Sequence, residues 1–386
     1  MKVNQVANIV NTAYAEVMGT EGVVNEDLSN VVDAGTNLYG AGDKAVDSYV
    51  KAILNKVGKM VFVDRPYAGA APSVLMDGWE YGSVCEKVRR EFKPATVNET
   101  WSLVNGVEYP TNIFHEPNVS AKTFNKRVTF EFEDSIVDRQ LKQSFSNAGE
   151  MSRFTAMLFN GVQNDMTISM DNLIRRTINN FIGETIFDAY KGTNLNGGSH
   201  LRAVNLLYVY NTEYNTGTAL TADNCLNNPD FIKFVAFTMS NYIDRIKAPS
   251  RLFNIGGFTN FTPTDRLSVI LRSDVKNAAN IYLQSSTFHE VYTALPNSET
   301  MVYWQGSGTE YNEVGKIDIV TSSGNNVTVD NVIGVMFDRD ALGVTNLDRR
   351  VTTNYVASAE FWNYYHKFDA GYFNDFNENF IVFFVA

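Results

Sequence analysis

Four histidines could ligate a metal or move a proton: His115, His200, His289 and His366. No two lie close in the chain and no HExxH spacing occurs, so a metal site would need distant convergence. His115-Glu116 and His289-Glu290 are adjacent pairs that would point apart on a strand. Asp338-Arg339-Asp340 places two acids on one strand face or around a turn. It lacks the glycine and glutamate of a calcium loop and reads as a solvated turn with an internal ion pair. The two cysteines, Cys85 and Cys225, form no CxxC, which excludes a zinc ribbon or disulfide scaffold and suits a reducing compartment. Cys85 has charged neighbours in Glu86 and Lys87 but no marked histidine partner, and reads as a structural thiol. GxSxG and GxxxxGK[ST] are both absent. No carboxylate pair stands out, so a glycosidase-type reading is neither excluded nor supported. The sharpest motif is Gly40-Ala41-Gly42-Asp43-Lys44-Ala45, which fits G-x-G-x-x-G/A, with Asp64 at dinucleotide-binding spacing. The residues before it, Asp33 to Tyr39, do not form a buried parallel strand, and no βαβ alternation follows. The plainer reading is a glycine-rich lead into a helix. No cofactor and no metal are expected.

A second kind of chemistry is suggested by Lys87, Arg89, Arg90 and Lys93, interleaved with Glu86 and Glu91. On a strand, Lys87, Arg89 and Glu91 share one face, and Glu86, Val88 and Arg90 the other. Mixed signs suit pairing with another protein surface rather than with phosphate. Complementary charge sets register between partners and guards an exposed ribbon edge.

The elements that would carry these residues follow from composition and periodicity. The chain has 386 residues, 44% hydrophobic and 19% charged, which excludes disorder. Mean hydropathy is −0.19, and no apolar run approaches 20 residues, so no membrane span is expected. Lys plus Arg is 32 against 43 for Asp plus Glu, a net charge of −11. A protein gripping nucleic acid over its whole surface would have the opposite sign. No signal peptide is visible at the start.

Val3, Val6, Val10, Ala13 and Val17 define an amphipathic helix over 3–18. Residues 19–42 read as a Gly/Asn/Asp-rich flexible lead, and 43–58 as a second helix. A helix as short as the first needs something to lie against. Val61-Phe62-Val63 reads as a short strand, followed by a loop over 66–72. Residues 79–132 read as charged β-ribbons without a core, with a hairpin turn at Asn105-Gly106. Val128, Phe130 and Phe132 alternate with Thr129, Glu131 and Glu133. A capping box at 147–150 opens a helix of about 60 Å over 148–190, kinked at Asn160-Gly161 and stopped at Gly192. Asn228-Pro229-Asp230 starts another helix. Strands are predicted at 267–271, 333–337 and 380–385, a helix from Ser273, and a hairpin over 317–329. No repeat occurs, which argues against a fibre.

This order resembles the major capsid proteins of tailed phages, with the Hong Kong 97 (HK97-like) α+β fold. The resemblance rests on Val74 to Asp77 running into Trp79 to Phe92, on Ser144 to Tyr190, and on Val332 to Leu342 with Ala359 to Tyr365 and the terminal strand. It implies an N-terminal arm over 1–60 and an extended β-ribbon loop over 61–135. It further implies a peripheral domain with the spine helix over 136–200 and a mixed α+β axial domain over 201–386, with strands returning to the peripheral domain. It implies a non-enzymatic subunit of the virion, assembled in the host cytoplasm. Many copies, as hexamers and pentamers, would close an icosahedral head around double-stranded DNA without sequence-specific binding. A separate scaffolding protein and a portal are the implied partners; no membrane is involved. The candidate inter-subunit contacts are Trp79, Lys87, Arg89, Arg90, Glu91 and Lys93. An encapsulin-type compartment shell shares the same fold, and a soluble dinucleotide-dependent enzyme is the alternative of another class. On this reading, arm and ribbon need neighbouring subunits to cover them, and deleting residues 2–18 is expected to leave subunit melting nearly unchanged.

Overall fold

A computed structural model describes residues 3–19, 23–42, 44–53, 72–76, 85–98, 100–109, 112, 114–137, 148–192, 198–284, 298–306 and 314–386. Trp79, Asp64, His289, the strand expected at 61–63 and the capping box at 147–150 fall wholly or partly outside these residues.

The centre is helix α4, Ala148–Tyr190, 43 residues long and continuous through Asn160-Gly161. At 1.5 Å per residue it spans about 65 Å. Its left-handed stop is Lys191 at φ 52°, one residue before the expected Gly192, whose amide bonds back to Phe187 O at 3.1 Å. From Val162 to Ile186, α4 lies against a five-stranded sheet in the order β5 (Ala203–Asn205), β13 (Phe380–Phe384), β10 (Val332–Asp338), β6 (Leu267–Arg272), β7 (Ser298–Met301). Phe181 of α4 stacks on Phe380 with ring centroids 4.0 Å apart. The opposite face of this sheet buries Ile333, Met336, Ile381 and Phe383 under α5 (Pro229–Ile246) and α6 (Ser273–Gln284). Burial on both faces explains why these strands read as unbroken apolar runs. Asn228 caps α5 as expected, accepting from the Asp230 and Phe231 amides with Pro229 at the first turn. The hairpin β8 (Ile317–Val320) and β9 (Asn326–Val329) lies over α4.

A second sheet runs β1 (Leu75–Met76), β11 (Leu342–Val356), β12 (Phe361–Asn374), β4 (Arg127–Val137). Its two faces differ. On one, Phe130 and Phe132 stack with Phe368. On that face His366 is buried, with neither ring nitrogen hydrogen-bonded among the described residues. Desolvation, reinforced by Arg349, pushes its pKa down to about 4. The other face is polar and paired with itself. Thr129 donates to Asp369, Arg350 holds Asp369 at 2.8 Å, Lys367 meets Glu131 at 2.6 Å, and Ser135 donates to Asn363.

The N-terminal residues depart from expectation. The presumed lead contains helix α2, Val31–Gly40, between α1 (Val3–Met18) and α3 (44–53). Asparagine carboxamides order the connection. Asn11 both donates to Val24 O and accepts from its amide, and Asn30 does the same with Val23 O and the Asn25 amide. Val6, Val10, Ala13, Leu28, Leu38, Tyr49 and Ile53 form a core with Ile136, Leu158 and Tyr364 of the body. Val3, expected on this face, is exposed. Gly40 ends α2, Gly42 turns at φ 95°, and α3 follows. The glycine motif is therefore a corner between two helices, not the strand-to-helix turn a dinucleotide pyrophosphate requires.

Candidate assembly surface

The charged cluster sits on a two-stranded ribbon. Strand β2 (Cys85–Arg90) pairs antiparallel with β3 (Val119–Phe124), setting Cys85 opposite Phe124, Lys87 opposite Lys122 and Arg89 opposite Ser120. The strand alternation divides the charges as the sequence implies: Lys87 and Arg89 are half-buried, Glu86, Val88 and Arg90 exposed. The Asn105-Gly106 turn is present, with Gly106 at φ 86° and Val107 N bonded to Val104 O. Among the described residues no strands flank it; the ribbon closes across the whole of 91–118 instead.

The inward face lies on two adjacent turns at one end of the body's strands, between β10 and β11 and between β12 and β13, where the Asp375 amide bonds to Ala341 O. Lys87 and Lys122, directly opposed, would repel, but Asp375 stands between them, 3.6 Å from Lys87 and 3.1 Å from Lys122. Lys87 also donates to Asp340 O and lies over the Phe373 ring, 4.5 Å from its centroid. Desolvation lowers the Lys87 pKa, opposed by Asp375 and Asp340. Arg89 pairs with Glu378 and donates to Asn377 O. Asp375 and Glu378 are buried, and a buried carboxylate is tolerated only when paired. The ribbon supplies those partners. It is thus held to its own subunit by charge and cation–π contact, with Phe124 against Phe373 at 4.9 Å as its apolar point. The expectation that it must lie on another surface holds, but that surface belongs to the same chain.

The remaining sequence-derived candidates point elsewhere. Arg90 and Lys93 are exposed, with no hydrogen-bond or ion-pair partner among the described residues. Glu91 accepts from the Asn118 carboxamide and closes the ribbon's end. Beyond it, residues 92–118 expose large apolar side chains: Val97 is 94% exposed, Trp101 99% and Phe114 85%. Asp375, Glu378 and Lys122 were missed by sequence reasoning. Their partners lie 253 and 289 residues away, and no local pattern links them.

The other chemical candidates do not converge. His115 is exposed, His200 packs edge-on against Tyr190 at 4.4 Å, and His366 is in the second sheet's core. Among the described residues no group of three or more His, Cys, Asp or Glu is placed to hold a metal. Burial pushes the Cys225 thiol up to about 11. Asp338 is buried and accepts from Thr262, and Asp340 pairs with Arg266, so the acidic turn is ion-paired with the 3-10 turn before β6 rather than with Arg339. No helix among the described residues is long and apolar enough to cross a membrane.

Comparison with known proteins fits this arrangement. None of the curated proteins matches the chain. A chain in the capsid structure of Staphylococcus phage Andhra is similar at TM-score 0.51 and 8% identity, over 81% of this chain and 83% of that one. A chain in the structure of the head fiber and inner core protein gp22 of native bacteriophage P68 is similar at TM-score 0.51 and 9% identity, over 81% and 83%. At such identity the likeness establishes the fold alone, the HK97-like α+β fold. The sequence profile of the Phi29-like phage major capsid protein family matches residues 3–384, and sets aside the compartment-shell and dinucleotide-enzyme readings. With that match over nearly its whole length, the chain belongs to the Phi29-like phage major capsid proteins and forms the head shell of a tailed phage.

Proposed function

We propose that the ribbon and its 91–118 connection are the contact by which one copy grips the next. The observation that carries this is the exposure of Trp101, Phe114 and Val97 in a segment whose root is ion-paired to the body. Apolar side chains held out in water gain roughly 1.5–3 kcal/mol each when a neighbour covers them. In this reading 1–60 is the arm, 61–135 the extended loop, 136–200 the peripheral domain and 201–386 the axial domain, and Trp79, Arg90, Glu91 and Lys93 lie near the interface. A separate scaffolding protein and a portal complete assembly. The shell encloses double-stranded DNA without reading its sequence, as the net charge of −11 favours, and its role is structural rather than enzymatic.

The test is the double variant Trp101→Ser, Phe114→Ser. Subunit melting is expected to stay within about 0.5 kcal/mol of the parent, as for exposed positions generally, while shell formation measured by light scattering and negative-stain microscopy is lost. Normal shells from the folded variant would remove the 91–118 segment from the interface.

A further inference from the structure

Beside the ribbon root lies a cleft of about 300 Å³, between strand β2 and the loop 250–260. Its walls carry Arg90 and Arg251, with Phe92, Phe258 and Thr259 between them. Glu378 fastens both walls. One of its oxygens takes Arg89 of the ribbon, and the other accepts from Asn260 of the loop. The loop is pinched shut by reciprocal backbone bonds between Ser250 and Asn260, at 2.9 and 3.0 Å. Gly256 keeps one wall bare, since a β-carbon there would meet the Asn377 carboxamide oxygen at 2.0 Å.

The charges inside are unbalanced. Arg89 has its carboxylate in Glu378; Arg90, the next residue, meets none among the described residues. Arg251 donates Nε to Thr259, and its terminal nitrogens meet no carboxylate among the described residues. Among the described lining residues the one acid is Glu91, one oxygen of which accepts from the Asn118 carboxamide. Arg90 and Arg251 thus line one cleft against a single carboxylate, that of Glu91, so its lining carries excess positive charge, in a chain with 43 acids against 32 bases. A guanidinium fork fits a carboxylate bidentately, and any neighbouring copy presents acids in excess. The cleft is too small, and its free cations too few, to follow a duplex backbone.

We infer that the Arg90–Arg251 cleft receives an Asp or Glu side chain from a second copy of this chain, fixing the register in which copies meet. The inference rests on the ribbon's role in assembly and adds to it the kind of group the ribbon's base recognises.

The test uses the full chain, with assembly followed by light scattering against protein concentration. Arg90→Glu and Arg251→Glu should each raise the concentration needed for shells by about tenfold or more, with melting and hydrogen exchange of β2 unchanged. Arg90→Lys should lie between them and the parent. A selection for second-site revertants of Arg90→Glu should return an Asp or Glu changed to Lys or Arg elsewhere in the chain. Two results would overturn the inference. One is unchanged assembly of both reversals in the same assay in which Trp101→Ser, Phe114→Ser fails, which spares the ribbon's role and removes the cleft. The other is normal assembly accompanied by lost binding to a short double-stranded DNA probe, which would make the cleft a phosphate contact. Normal assembly of all these variants would end both the cleft and the wider ribbon reading.

Discussion

The N-terminal helices and the β-ribbon are two excursions that look equally unable to bury themselves, and they settle on the body by opposite means. The helices close an apolar core with Ile136, Leu158 and Tyr364 of the body, with Val6, Val10, Leu38 and Tyr49 essentially inaccessible to water. The ribbon has almost no apolar face turned inward, and is held by Lys87, Arg89 and Lys122 on Asp375 and Glu378. Its apolar residues are turned out. Apolar burial makes an excursion part of the subunit, whereas charge pairing can hold one in place while its apolar surface remains available.

The largest effect expected is on the helical side. Deleting residues 3–18 removes Val6, Val10, Ala13 and Tyr14 from a closed core, and should lower subunit stability by several kcal/mol. Thermal melting of the subunit checks this, and unchanged melting would return the helix to the status of a loose arm.

Next comes acid at the seam between the two packed regions. His366 lies on β12 between Tyr364 of the N-terminal core and Phe368 of the main core. Its folded pKa of about 4 is below the unfolded value near 6.5, so folding favours the neutral ring. The contribution is full above about pH 6.5 and lost as pH falls through 4, with an upper size of about 3 kcal/mol. His366→Phe should flatten this part of the stability profile measured by denaturant titration between pH 7 and 4; an identical acid limb in the variant would assign the loss to other groups.

The ribbon side should show the smallest effect on global stability. Glu378→Gln leaves Arg89 without its anion, and is expected to cost about 1–3 kcal/mol. Hydrogen exchange should speed up in 85–90 and 119–124 while α1 to α3 stay protected. Equal acceleration in both regions would show that the two excursions are not independent.

Much of this was legible from local pattern. Helix α4, strands β6, β10 and β13 and the β8–β9 hairpin follow from apolar periodicity and turn residues within each segment. Helix α2 was not, because Val31, Ala34 and Leu38 are interleaved with Gly35, Thr36 and Asn37, poor helix formers that packing overrides. The Asn105-Gly106 turn was legible but its strands were not, because β2 and β3 pair across a much longer connection. The alternation of β2 told which charges share a face. It could not tell that Asp375 and Glu378 would meet one of those faces, since strand periodicity carries no information about partners hundreds of residues away.

The self-paired face of the second sheet has a consequence for crowding. Charges that alternate at the spacing of neighbouring side chains cancel one another within a few ångströms, well inside a Debye length of about 8 Å at physiological salt. Another subunit or a polyanion approaching that face therefore meets little more than wetted polar surface. Copies packed at high local concentration can slide past one another there without adhering, and capture is left to the parts of the molecule whose charges and apolar groups remain unmatched.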